Sequence, residues 1–311
     1  MKKYWIISLA ISISLFYSQA SAQLKQMSFF EKDGTVALQT TSLDALADTI
    51  AVMNHRDDDV VWSRTVYRII DMRDKQNYQL YFPIVPNEQY KSLFRIMLEA
   101  AVNDSLRAYE KIERDIQPAF LKVISKDSLK NYFQICERDT VNNTTRKTPL
   151  IVNDPITQQP VISTYAYKDY VKNQLKFLIQ EIVFFDKHTS RMYTEILAIA
   201  PLNAMTETNV SLGNTNDSWS YFQSSVLCWF KFKELRPYLA RHYVIPNGND
   251  TQRLTYDGYF AQQFYSDYLL GDSNMNNRML IQYLADPDKI RKEQKRIETE
   301  LLNFEQDLRE Y

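Results

Sequence analysis

The stretch KFLIQEIVFFDKHTSRMYTEILAIA, Lys176 to Ala200, decides the fold. It contains two apolar runs, Lys176 to Phe185 and Arg191 to Ala200, on either side of the polar segment Asp186 to Ser190. That pattern predicts two strands joined as an antiparallel hairpin. Both alternating faces of the first run carry apolar side chains, so we expect the sheet to be covered on two sides.

Helices are predicted wherever apolar residues recur at helical spacing before the hairpin. The first, a short helix, is capped by Ser42 and ends near Ile50. The second follows the triplet Asp57-Asp58-Asp59 and places in register Trp62, Val66, Ile69, Ile70 and Arg73. The third begins at Asn87 and places in register Tyr90, Leu93, Phe94, Met97, Ala100 and Ala101. The triplet suits the positive end of a helix dipole, and a metal site is the alternative, although no further oxygen ligands follow at EF-hand spacing.

The C-terminal segment predicts a long helix. Asp286 suits the N-cap and Pro287 the first turn, where a missing N–H costs nothing. A narrow apolar stripe follows at steps of three and four, made of Ile297, Leu301, Phe304, Leu308 and Tyr311. Such a stripe packs either on the protein's own body or on another chain, and the sequence leaves both open. Before this helix, residues 221–232 predict a strand and Pro237 a turn.

These elements predict an α+β fold, with helices packed on a mainly antiparallel sheet and a long C-terminal helix. We expect an N-terminal arm at residues 23–41, followed by one α+β domain at residues 42–311. Residues 139–160 contain three prolines and many Asn, Thr and Gln, which indicates a loop or an internal domain boundary.

The N-terminus has the three parts of a secretory signal peptide. Lys2 and Lys3 precede an apolar stretch, and the Ala20-Ser21-Ala22 step places the cut after residue 22. The apolar stretch is shorter than the roughly 20 residues that a bilayer needs, and no cysteine follows the cut to carry a lipid. We therefore expect residues 1–22 to be removed and the mature chain to lie in the periplasm without inserting into a membrane.

Composition and spacing exclude several classes of protein. The chain carries 37 Lys and Arg against 38 Asp and Glu, so it lacks the excess of positive charge typical of nucleic-acid binding. Its 5 glycines lie too far apart for a dinucleotide-binding or P-loop motif. No nucleophile elbow G-x-S-x-G, no H-E-x-x-H and no C-x-x-C occurs, and the three histidines lie in separate segments. We expect no catalytic residues, metal site or cofactor. Cys136 and Cys228 permit a disulfide without requiring one.

Four stretches carry a resemblance to a known family. They are DDVVWSRTVYRIIDMRDKQNYQLYFP (58–83), IVFFDKHTSRMYTEILAIAPL (182–202), RPYLARHYV (236–244) and RLTYDGYFAQQFYSDYL (253–269). In this order they resemble the GldN/PorN family of gliding motility and type IX secretion proteins of Bacteroidetes. The resemblance implies a non-enzymatic periplasmic ring subunit. Its implied partners are an outer-membrane lipoprotein of the GldK/PorK kind, a motor subunit of the GldM/PorM kind, and neighbouring copies.

Two surfaces are candidates for contact with those partners. One is the charged face formed by Arg64, Arg68 and Asp71, for which the alternative is an ordinary solvated stripe. The other is the stripe of the C-terminal helix, with Leu301, Phe304 and Leu308. An alternative function of another class is a periplasmic glycan-binding protein or glycoside hydrolase, with tyrosines as stacking platforms and buried carboxylates as acid and base.

Four triplets resemble the Asp-Ser/Thr-apolar acceptor of Bacteroidetes O-glycosylation. Their hydroxyl residues are Thr49, Ser105, Ser128 and Thr140. Chance is the alternative, because these residue types are common. Only accessible hydroxyls could be modified.

The cleavage site gives a first testable prediction. We expect the mature chain to begin at Gln23, because the Ala-x-Ala step ends at Ala22. Intact-mass measurement of the protein isolated from the periplasm checks this. A mass that includes residues 1–22 would remove the argument for export.

Overall fold

The computed structural model describes residues 49–50, 55–86, 90–103, 106–112, 117–138, 145–155, 160–163, 167, 176–202, 226–245, 254–274, 278–284 and 286–309. Its strands are β1 Val60–Asp71, β2 Ala108–Tyr109, β3 Gln134–Arg138, β4 Thr145–Pro149, β5 Ile151–Asn153, β6 Pro160–Ile162, β7 Lys176–Asp186, β8 Arg191–Leu202, β9 Trp229–Lys231 and β10 Tyr268–Asp272. Its α-helices are α1 Tyr78–Tyr81, α2 Leu93–Asn103, α3 Lys126–Tyr132, α4 Phe232–Leu239, α5 Tyr256–Ala261, α6 Leu280–Tyr283 and α7 Pro287–Arg309.

A six-stranded antiparallel sheet lies at the centre, in the order β10-β1-β7-β8-β9-β2. The predicted hairpin is confirmed as β7 and β8, joined through residues 187–190. The described residues also form two ribbons, β3 with β4 and β5 with β6. The α+β prediction, with a mainly antiparallel sheet and a long C-terminal helix, is therefore confirmed.

The largest core lies on one face of the sheet, where helices cover it. Phe177 and Ile179 of β7 and Ile199 of β8 point to this face and pack among the apolar residues of α2, α4 and α5. Leu150, Ile151 and Ile162 join the same core, so the described residues of the proline-rich region 139–160 contribute strands that pack there. Burial of this apolar area supplies the main driving force for folding.

The opposite face has a second apolar cluster. Leu178 of β7 packs there with Tyr67 of β1, Tyr109 of β2 and Trp229 of β9. These residues alternate with those of the first face along their strands, as the two-residue period of a strand requires. The expectation that the sheet is covered on two sides is thus confirmed for the described residues.

The predicted helix after the acidic triplet is wrong, because Val60–Asp71 forms strand β1. Its residues VVWSRTVYRIID are mostly β-branched or aromatic, and such side chains lose χ1 freedom in a helix but pack well on a sheet. Both faces of its second half are buried between β10 and β7, which hides the alternation typical of a strand. The triplet Asp57–Asp59 itself is a 3-10 turn before β1.

Three other predictions are corrected in part. The predicted helix at Asn87 begins instead at Leu93, and Tyr90 lies outside it in a bridge with Tyr243. The predicted strand 221–232 is described only as a bridge at Val226 and as β9. Pro237 lies inside α4 rather than in a turn. The predicted signal peptide, the arm and most of the helix capped by Ser42 lie outside the described residues.

The C-terminal helix is confirmed as α7. Asp286 caps it, since its Oδ1 accepts the N–H of Asp288 at 3.0 Å. Ile297 is buried and Leu301 is half-buried in a small apolar cluster with Val66 of β1. The stripe of α7 therefore packs on the protein's own sheet, although the side chain of Leu308 lies outside the described residues.

Packing of α7 gives a second prediction. Replacing Leu301 and Phe304 by Asp would place charge in this apolar contact and lower the free energy of unfolding by about 2–4 kcal/mol. Leu302, 54% exposed on the same helix, is the matched control, and Leu302→Asp should change it by less than about 0.5 kcal/mol. Urea unfolding measures the free energy of unfolding of both variants. Equal stability of the double variant and the control would contradict this packing.

Candidate functional site

The two surfaces that the sequence assigns to partners lie against each other. Phe304 of α7 packs on Trp62 of β1, with 4.5 Å between the ring centroids. Glu300 of α7 is 3.3 Å from Arg64, and Glu298 is 3.8 Å from Arg68. We call this contact between β1 and α7 the β1–α7 seam.

Arg68 is the centre of a charged cluster in the seam. Its Nε lies 3.2 Å from Glu181 Oε2 on the neighbouring strand β7. Its Nη1 donates to Asp267 Oδ1 at 2.8 Å, just before β10. The hydroxyl of Tyr265 donates to the second oxygen of Glu181 at 2.9 Å. A planar guanidinium suits such a site because it directs several hydrogen bonds at once.

The cluster has more acidic than basic groups, since the carboxyls of Glu181, Asp267 and Glu298 surround the one guanidinium of Arg68. Burial raises the pKa of Glu181 to about 7, even though Arg68 and the Tyr265 hydroxyl favour its ionised form. Burial alone would lower the pKa of Arg68, but Asp267 and Glu181 raise it. Arg68 is therefore charged at every physiological pH, and Glu181 is the member that takes up a proton.

Arg64 belongs to a second chain of ion pairs along the same seam. Its Nη2 lies 2.7 Å from Asp272 of β10, which is buried. Glu300 then joins Arg64 to Arg296, and Arg296 also pairs with Glu293 at 2.7 Å. A cavity of about 390 Å³ lies beside this chain, between β1, β10, α6 and α7. Because acidic and basic side chains alternate along its wall, the cavity has no strong preference for an ion of either sign.

Asp71 does not join the other two residues of the predicted charged face. It stands at the end of β1, at an odd position, whereas Arg64 and Arg68 share the even face. Its carboxylate pairs with Arg73 at 2.8 Å and with Lys176 at 3.3 Å. Arg64 and Arg68 are each only 20% exposed, so most of their polar surface is used within the chain. A role for these residues in binding a partner stays a prediction.

A buried ion pair and a buried histidine–carboxylate hydrogen bond lie in or next to the stretches that carry the resemblance. Arg236 of α4 makes a two-point contact with Asp257 of α5, at 2.7 and 3.0 Å, and Asp257 also accepts the N–H of Ile50. His55 Nδ1 lies 2.8 Å from Asp186 Oδ2. Burial opposes ionisation of Asp186, but the hydrogen bonds from His55 and the His188 N–H lower its pKa. These pairs anchor the N-terminal segment to the sheet and its helices.

The geometry does not resemble a hydrolytic site. Glycoside hydrolysis needs two carboxyl groups on either side of a bound sugar. Glu181 has a suitable pKa, but it is 2% exposed and lies below α7, and it lines neither of the two cavities beside this helix. Within the described part of the chain, no group of three or more His, Cys, Asp or Glu is placed to hold a metal ion.

The remaining predicted sites are placed as follows. Cys228 is a free thiol buried in the main core, where burial raises its pKa, and the side chain of Cys136 in β3 lies outside the described residues. Of the glycosylation candidates, Thr49 and Ser128 are half-buried, and Ser128 Oγ accepts a hydrogen bond from Ser125. Ser105 and Thr140 lie outside the described residues.

Residues 55–310 match the model of a family described as gliding motility associated protein GldN. This chain belongs to the GldN family. No curated protein matches it at a significant level. The matched residues of this GldN-family chain include the whole sheet, the β1–α7 seam and both anchoring contacts, Arg236–Asp257 and His55–Asp186. Among its described residues, no helix is both long and apolar enough to cross a membrane.

Sequence reasoning missed the acidic partners in the seam. Glu181, Asp267 and Asp272 lie 113 to 208 positions from the arginines that they contact, and no local spacing reports such a contact. One signal was present: Glu181 is a charged residue in the middle of a mostly apolar run, FLIQEIVFF. A charge buried there must find a partner, and that rule predicts an arginine on a neighbouring strand.

Glu181 gives a prediction about pH. Between its ordinary pKa of 4.5 and about 7, the folded chain keeps a proton that the unfolded chain has lost. The free energy of unfolding therefore falls as pH rises through this range. Glu181→Gln removes this dependence. Titration of His242 has the opposite effect on the free energy of unfolding, because burial lowers its pKa to about 4. The contribution of Glu181 is therefore measured as the difference in stability between the parent and Glu181→Gln.

Urea unfolding of both proteins at several pH values checks this prediction. We expect the stability of the parent, relative to Glu181→Gln, to be constant below about pH 4.5 and to fall toward pH 7. A relative stability that rises with pH would show that Arg68 holds Glu181 ionised.

Proposed function

We propose that this chain is a non-enzymatic structural subunit of the type IX protein secretion and gliding machinery. In this proposal it works in the periplasm and assembles with an outer-membrane lipoprotein of the GldK/PorK kind into a ring. It also contacts the periplasmic part of a motor subunit of the GldM/PorM kind. The lipoprotein holds it at the inner face of the outer membrane.

The observation that carries the proposal is the match to the GldN family over residues 55–310. A gliding-associated family is consistent with a part of a larger machine. The signal-like N-terminus, with Lys2 and Lys3 before an apolar stretch, supports export to the periplasm.

The chemistry of the described residues supports a role without catalysis. Glu181, whose pKa burial raises to about 7, is covered by α7 and paired with Arg68, which is the environment of a structural ion cluster. Perturbed pKa values occur in such clusters as well as in active sites, so accessibility decides between the two. A reacting group must reach its substrate, and Glu181 is closed off.

The proposal predicts the behaviour of the native protein in a pull-down. An affinity tag at the C-terminus of the full-length chain should recover a lipoprotein of the GldK/PorK kind from detergent-extracted outer membranes. Mass spectrometry identifies the recovered proteins, and native electrophoresis gives the size of the complex. Deletion of the gene should also stop secretion of type IX substrates.

The matched control is the same tag on an unrelated periplasmic protein. Migration of the chain as a monomer, together with normal secretion in the deletion strain, would contradict the proposal. That outcome would favour the glycan-binding or hydrolase alternative, because a soluble hydrolase migrates alone.

A further inference from the structure

Within the described part of the chain, the sheet has an open edge at the start of β1. β10 pairs with β1 only at residues 66–69, so the first half of β1 extends past it. Thr65 directs its backbone to that side, where its C=O accepts the N–H of Ser273 at 2.8 Å. Ser63, two residues earlier, directs its N–H and C=O to the same side. Among the described residues, none pairs with Ser63 there.

The opposite end of the sheet has a matching edge. The Glu110 N–H donates to the Lys122 C=O at 2.9 Å, and the Ile124 N–H donates to the Ala108 C=O at 2.8 Å. Residues 121–124 thus run beside β2 as a further extended segment. Val123, between these bonds, directs its own N–H and C=O away from β2.

Both edges expose apolar side chains that favour strands. Val61 is 66% exposed at the first edge, and Leu121 and Val123 are 88% and 47% exposed at the second. Sheet edges with unpaired backbone groups and exposed apolar residues are templates for pairing with another chain. A bulge between Val60 and Trp62 limits such pairing at the first edge to the residues that follow it.

The two edges carry opposite charge. Residues 57–63, DDDVVWS, contain three Asp and no base, and we call them the acidic edge. The three Asp form the 3-10 turn just before the strand. Residues 120–126, FLKVISK, contain two Lys and no acid, and we call them the basic edge. Arg56 and Lys187 contact the acidic edge, and Lys122 lies 2.6 Å from Glu110. The lysines and Arg56 are exposed, and the Arg56–Asp58 pair, exposed on both sides, has little net strength and can exchange partners.

Charge also decides which arrangement of two copies is favoured. Pairing two acidic edges would place six Asp together, and like charges across an interface are costly. Pairing an acidic edge with a basic edge is complementary. That contact is heterologous, because it leaves one edge of each kind free, and repetition gives a closed ring or an open filament.

We propose that copies of this chain join edge to edge, with Ser63 in the acidic edge of one copy pairing as a strand with Val123 in the basic edge of the next. The inference rests on the proposed function, since it names the surface by which neighbouring copies meet. It commits to a second copy of the chain as the occupant of both edges. Ser63 of β1 and Val123 of the segment beside β2 are the central residues of the contact.

Cysteine cross-linking in the full-length protein in cells tests this contact. In a Ser63→Cys/Val123→Cys double variant, mild oxidation should give a ladder of covalent multimers. Each single variant should give no ladder, because propagation needs two thiols in every copy. The parent is the background control for Cys136 and Cys228. A double variant that matches the single variants overturns the proposal.

Peptide mapping identifies the cross-linked residues. A bond from position 63 to position 123 of another copy supports the proposal. A bond from either position to Cys136 or Cys228, or to a different protein, overturns it.

A charge exchange provides an independent test. Asp58 and Lys122 are exposed, so Asp58→Lys and Lys122→Glu should leave the circular dichroism spectrum unchanged. In the two-thiol background, each reversal should weaken the ladder, and the two reversals together should restore it. Failure of the combined variant to restore the ladder contradicts pairing between these edges.

Recovery of the lipoprotein separates this inference from the proposed function. If the lipoprotein co-purifies but no ladder forms, the edge contact is wrong and the proposed function stands. If a ladder forms without the lipoprotein, the edge contact stands and the proposed function is wrong.

Discussion

The structure depends on one constraint: strand β7 is apolar on both of its faces. A strand of this kind is stable only when both faces are removed from water, so each side of the sheet must be covered. Helices α2, α4 and α5 cover one side, and Phe120, Met279 and Ile281 pack on the other. Helix α7 packs on the remaining end of the first side. Among the described residues, covering both faces leaves the start of β1 and residues 121–124 as open edges of the sheet.

Glu181 imposes a second requirement, because it places a carboxyl group within that apolar strand. Arg68, Tyr265 and Asp267 surround it, and Arg64 continues the line of ion pairs to α7. Burying ions carries a large desolvation cost, which their attraction only partly offsets. We infer that these pairs fix the position of α7 on the sheet more than they add to stability. The same residues that looked like a partner surface in the sequence thus position the last helix.

The sequence predicted elements whose pattern is local. The hairpin of β7 and β8 follows from two apolar runs around a polar turn, and α7 follows from its cap at Asp286 and one narrow stripe. Strand β1 was mistaken for a helix because burial on two faces removes alternation, and spacing alone then misleads; its β-branched residues were the better guide. The ion pairs of Arg64 and Arg68 join distant segments, so only the folded chain brings them together.

The central claim is that a sheet covered on both faces meets its neighbours through its edges. Hydrogen–deuterium exchange, compared between the free chain and the native complex, tests it most directly, because edge amides exchange freely until they are paired. The account predicts that assembly slows exchange in peptides that contain Ser63 and Val123 and leaves peptides of α2 and α4 unchanged. Protection of α2 and α4 on assembly, with both edges still exchanging freely, would contradict it.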